Sequence, residues 1–159
     1  MSHGMPQPTE QHRKLTALAG SWSGPEKLYP SPWGPGGQAT GRIKARLSVD
    51  GFFLLQDYEE EKDGSVVFRG HGVIGYDERD RSYVWFWFDS MGTPPSAPSR
   101  GNWDGDTLTF VSRESGRHSR YTYRLESSTR YGFRIEEELG LSARYAGKDA
   151  FPRARQSRP

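Results

Sequence analysis

The 159-residue sequence contains no cysteine. That excludes a disulfide scaffold, a thiolate nucleophile and a zinc site built on sulfur. No apolar run approaches the roughly 20 residues of a spanning helix, so no membrane span is expected. Histidine is scarce: His3, His12, His71 and His118 stand far apart, with no H-x-H or H-x-x-x-H pair. No metal site and no cofactor are expected from such spacing. There is no G-x-S-x-G elbow, and the run Gly34-Pro35-Gly36-Gly37 lacks the Gly-Lys-Ser/Thr that a phosphate loop needs. The opening Met1-Ser-His-Gly-Met-Pro has no basic stretch leading into an apolar one, and the cytoplasm is the expected location.

Aliphatic residues are also few, but aromatics are not. Five Trp, eight Tyr and eight Phe supply the large buried surfaces that disordered chains lack. The net charge of +2 conceals two unlike regions. Residues 139–159 carry Arg144, Lys148, Arg153, Arg155 and Arg158 against Asp149 alone, a net of +4. The remainder is therefore slightly acidic, which argues against nucleic acid as a partner. Residues 8–150 are expected to form a single domain and residues 151–159 a disordered basic tail.

One short helix is predicted, capped by Thr9 and running from about Glu10 to Ala19, with Leu15 and Leu18 on one face. Elsewhere period 2 prevails. In Ala39–Asp50 the residues Ile43, Ala45, Leu47 and Val49 alternate with Arg42, Lys44, Arg46 and Ser48. Further strand-like runs are 52–61, 66–76, 83–90, 107–112, 118–126 and 131–138. They are separated by turn signals such as Asp50-Gly51, Asp63-Gly64, Asp104-Gly105 and Ser115-Gly116. The expected fold class is all-β: an antiparallel up-and-down barrel, whose closure leaves no edge exposed, with one N-terminal helix.

Register follows from the turns. A two-residue Asp50-Gly51 loop sets Arg42 opposite Glu59 and Lys44 opposite Asp57 outside, with Ile43 opposite Tyr58 and Ala45 opposite Gln56 inside. A regular Asp63-Gly64 hairpin then sets Gln56 opposite His71 and Tyr58 opposite Arg69, both inward. Trp85, Trp87 and Asp89 can share that face, with Asp89 near Arg69; a slip of one residue would bring Phe86 and Phe88 inside instead. The Pro-rich run from Asp89 to Ser99 cannot join a sheet and is expected at a rim, where Tyr29 and Trp33 could complete a lid.

Six stretches carry a resemblance: Leu15-Thr-Ala-Leu-Ala-Gly-Ser-Trp-Ser-Gly, Tyr29-Pro-Ser-Pro-Trp-Gly-Pro-Gly-Gly, Asp50-Gly-Phe-Phe-Leu-Leu-Gln-Asp-Tyr, Phe68-Arg-Gly-His-Gly-Val, Trp85-Phe-Trp-Phe-Asp-Ser-Met-Gly and Arg100-Gly-Asn-Trp-Asp-Gly-Asp-Thr-Leu-Thr-Phe. Over residues 11–138 the chain resembles a bacterial family known as domain of unknown function 1579. The resemblance implies a calycin-like, lipocalin-like barrel of the kind that encloses small molecules; it implies no particular activity. Beyond Glu138 the family pattern of a final hairpin and closing strand is lacking, which puts barrel closure in question.

The leading expectation is a small-molecule-binding barrel for a hydrophobic or amphipathic ligand with an anionic or polar head group. Its ligand-binding candidates are Gln56, Tyr58, Arg69, His71, Trp85, Trp87 and Asp89, with Arg69 meeting an anion. The alternatives are an enzyme using His71 as general base oriented by Asp89, and a nitrobindin-like haem protein that would have to use His71. A homodimer stays open.

Overall fold

In a computed structural model the chain is described over residues 4–30, 35–114, 117–138 and 145–155, with the side chains of 145–155 left aside. Thr9 starts the helix as predicted. Its backbone N–H donates to Nδ1 of His12, 2.9 Å away, the reciprocal contact of a capping box. Helix α1, Glu10–Lys14, tightens into a 3₁₀ turn at Leu15–Leu18 rather than continuing to Ala19. Leu15 and Leu18 are buried, and the Trp22 indole donates to the Leu18 carbonyl, so this segment plugs one end of the molecule.

Ten strands follow: β1 Gly20–Leu28, β2 Gly37–Ser48, β3 Phe53–Lys62, β4 Ser65–Asp77, β5 Ser82–Asp89, β6 Ser99–Asp104, β7 Thr107–Glu114, β8 Arg117–Ser127, β9 Arg130–Glu138 and β10 Tyr145–Arg155. Each pairs antiparallel with its neighbours in sequence, and β10 pairs with both β9 and β1 to close the barrel. The expectation of disorder from residue 151 therefore does not hold for 151–155, which belong to β10. Its hydrogen-bonding edges are taken up by β1 and β9, a gain the apolar pattern of the tail does not advertise. Residues 156–159 lie outside the described residues, as do Trp33 and the Ser115-Gly116 turn.

The β2–β3 register is the predicted one: Arg42 faces Glu59, Ile43 faces Tyr58, Lys44 faces Asp57 and Ala45 faces Gln56. The connection is longer than expected, spanning Val49–Phe52, but symmetric, so the register is unchanged. Its ion pair is diagonal, Arg42 bonding to Glu61, while Glu59 lies 3.8 Å from Arg69, its direct partner on β4. The β3–β4 hairpin departs from expectation. Next to the turn, Lys62 faces Ser65 and Glu61 faces Val66, as a regular hairpin requires. Then the register slips, and Glu60 faces Phe68, leaving Val67 as the extra residue of a β-bulge. Every residue beyond it changes face relative to an unbroken count. Gly70 and Gly72 turn inward, and Arg69 and His71 turn out.

Candidate functional site

The helix and the turns at 49–52, 78–81, 105–106 and 128–129 crowd one end of the barrel. The opposite end is bordered by the β3–β4 turn and by residues 90–98. This Pro-rich segment lies at the rim as predicted, because it interrupts the ladder: β6 pairs with β5 only at Tyr83, Val84 and Trp85. Trp87 and Asp89 thus stand on a length of β5 that β6 does not cover.

Inward positions form layers along the barrel. Deepest, beside the helix, Leu54, Ile74, Tyr83, Leu108 and Tyr131 are almost wholly buried. Tyr83 donates its hydroxyl to the Gln11 carbonyl at 2.6 Å, and burial pushes its pKa up to about 12. The next layer is built around Trp85, whose ring lies 5.0–6.2 Å from those of Phe110, Tyr121, Tyr123 and Phe133 and so reaches across to the far wall. Gln56, 1% exposed, donates to the Tyr123 hydroxyl at 3.2 Å in the same layer. The Trp85 indole nitrogen is buried with no hydrogen-bond partner.

Above Trp85 the inward side chains are less enclosed. Phe68, Trp87, Tyr121 and Ile135 pack against the core yet remain partly exposed. Trp87 lies flat over Gly70, where a side-chain carbon would come within 2.1 Å of its ring. It is pinned there by donating its indole N–H to Asp89, 2.9 Å away. Asp89 also accepts from the backbone of Met91, which ties the Pro-rich rim to the same carboxylate. On the neighbouring wall the Tyr58 hydroxyl lies 2.7 Å from Glu26 Oε2 and 3.0 Å from Glu60 Oε2, both carboxylates being buried.

Five of the seven predicted site residues, Gln56, Tyr58, Trp85, Trp87 and Asp89, share the interior, and Phe86 and Phe88 are outside. Arg69 and His71 do not, and their inward placement is corrected. Arg69 is on the outer face with Glu59, and His71 Nδ1 lies 2.8 Å from Asp57 on the same outer face. The Val67 bulge is the reason. Two consequences follow: His71 and Asp89 form no dyad, and no histidine among the described residues lines the open half, so the haem reading loses its ligand. The sequence reading had missed Phe68, which the bulge brings inward, and Tyr121 and Tyr123, whose alternation in 118–126 was a readable signal. Glu60 is inside as well, where period 2 from Tyr58 puts it.

Fold and site together define a calycin-like, ten-stranded up-and-down barrel stoppered at one end by the helical segment. The chain matches the family described as Protein of unknown function (DUF1579) over residues 7–143, and it belongs to that family. Among solved structures it is similar to Rv2717c from M. tuberculosis, with a TM-score of 0.70 at 14% identity, covering 94% of this chain and 99% of that one. It is also similar to the S-type phycobiliprotein lyase CPES from Guillardia theta, with a TM-score of 0.66 at 9% identity, covering 96% and 100%. At such identities the likeness concerns the fold alone. No curated protein matches, and no helix among the described residues is long and apolar enough to cross a membrane.

Proposed function

We propose that the protein binds a small, largely apolar molecule with a polar head group, admitted through the open end of the barrel. The observation that carries this reading is the ring set Phe68, Trp87 and Tyr121, which faces inward but stays partly exposed, while the layer beneath is sealed. Apolar surface turned into a cavity and left wet gains about 25 cal/mol for each Å² that a ligand covers. Pockets of this kind combine apolar walls with a few convergent polar groups, here Gln56, Tyr58, Trp85 and Asp89. The anionic head group expected from Arg69 loses its support, since that guanidinium is outside; the polar contacts that support the reading are neutral donors and carboxylates. The likeness to a phycobiliprotein lyase is in keeping with a barrel that handles a small molecule, and it carries no substrate across.

Native mass spectrometry of freshly purified protein, paired with titration of a neutral naphthyl ketone dye, tests the reading. A bound small molecule, or saturable uptake of one dye per barrel that Trp87→Ala weakens at least tenfold, is expected. A chain that flies at its bare mass and takes up no dye overturns it.

A further inference from the structure

Resting on that reading, we propose that the floor of the open half recognises one neutral hydrogen-bond acceptor, a ketone or amide oxygen of the bound molecule. The Trp85 indole N–H holds it beside the Gln56 amide.

Two fully enclosed polar groups meet there with unused capacity. Trp85 is 5% exposed, and its N–H has no partner. An indole N–H can only donate, so nothing but an acceptor satisfies it. Gln56 offers two N–H donors and a carbonyl with two lone pairs. Its hydrogen bonds run to one group, the Tyr123 hydroxyl, at 3.2 Å from the amide nitrogen and 3.5 Å from the amide oxygen. Buried polar groups are nearly always paired, and a shortfall in two adjacent side chains marks a place prepared for a further polar atom. Both lie against Gly72: a side-chain carbon there would come within 2.7 Å of Trp85 Nε1 and 2.8 Å of Gln56 Oε1, and glycine leaves the two polar edges without that carbon between them.

The surroundings select against charge. Among the described residues no lysine or arginine is buried, whereas Glu26 and Glu60 are. At the floor itself an anion or a cation would be met by two neutral side chains, Trp85 and Gln56, and would lose its hydration without a counter-ion from either. A neutral carbonyl does not carry that cost, and the Trp87 ring over Gly70 suits a planar body above it.

The test uses 6-propionyl-2-(dimethylamino)naphthalene, its 6-propyl analogue without the carbonyl, and the anionic 1-anilinonaphthalene-8-sulfonate. With indole-¹⁵N-labelled protein, the ketone should shift the Trp85 N–H resonance downfield at saturation, and the propyl analogue should not. The ketone should bind about three- to tenfold more tightly than the propyl analogue to the native chain and equally to Trp85→Phe. The sulfonate should bind at least tenfold more weakly than the ketone. If Trp85→Phe does not fold, the resonance of the native chain decides alone. Ketone and propyl dyes binding equally well, with the Trp85 resonance unmoved, would overturn the acceptor site and leave the binding barrel standing. Failure of both dyes to bind would overturn the two readings together.

Discussion

Gly72→Ala adds one carbon at the point where the interior is least able to move. That carbon would stand 2.7 Å from Trp85 Nε1, 2.8 Å from Gln56 Oε1 and 3.2 Å from the Trp87 ring. Ordinary contacts begin several tenths of an ångström further out, so at least two side chains must yield. Trp85 is wedged among rings of β7, β8 and β9, and Gln56 is tied to Tyr123. Overpacking a locked site costs about 1–3 kcal/mol, and the upper half of that range is expected here. For a chain of this size, 2–3 kcal/mol lowers Tm by about 5–10 °C. Gly70→Ala is the control. Its added carbon meets Trp87 alone, at 2.1 and 2.4 Å, and that ring is partly exposed and can swing toward the mouth. It should cost about 1 kcal/mol while breaking the Trp87–Asp89 bond. Thermal denaturation followed by circular dichroism, with Trp fluorescence for Trp87, reads both. A Gly72→Ala chain within about 0.5 kcal/mol of the parent, or a Gly70→Ala chain less stable than Gly72→Ala, would refute this packing.

Three further outcomes are expected. Deleting the exposed Val67 removes only the bulge residue; the chain should fold within about 1 kcal/mol of the parent, with His71 still open to diethyl pyrocarbonate, and a buried His71 would show the bulge account wrong. Val49 is a β-branched residue held at φ 52 and largely exposed, so Val49→Asn should stabilise by about 0.5–1 kcal/mol in urea melts. Tyr83 has a folded pKa of about 12 against 10 for an unperturbed tyrosine, so the folded state keeps a proton that the unfolded state releases. Stability complete below pH 10 should fall as pH rises toward 12, and the fall in Tm over that window should be smaller in Tyr83→Phe.

How much was readable in the sequence depended on whether the turn or the strand interior set the register. The Asp50-Gly51 signal lies between two long alternating runs, and even a longer loop preserved the pairing of Ile43 with Tyr58 and of Ala45 with Gln56. The inward face of the Trp85–Asp89 run stayed open in the sequence, since Phe86 and Phe88 suit an interior as well as Trp85 and Trp87 do, and the pairing with β4 decides it. Val67 left no mark of that kind. It sits in Val66-Val67-Phe68, where any of the three suits either face, so nothing local announces the extra residue. Two residues later that ambiguity decides whether Arg69 and His71 are a binding pair or surface partners of Glu59 and Asp57. Strands β1, β6 and β10 were missed because their glycine, proline and charged residues mask alternation; neighbours on both sides supply their hydrogen bonds. The orphaned Trp85 nitrogen is a property of packing and could not be read from spacing at all.

A crystal structure of the protein grown with 6-propionyl-2-(dimethylamino)naphthalene tests the central claim most directly. The claim predicts the dye's naphthalene against Trp87, between Phe68 and Tyr121, with its carbonyl oxygen within 3.2 Å of Trp85 Nε1. An interior in which those three rings close on one another, with the dye outside or unbound, would contradict it.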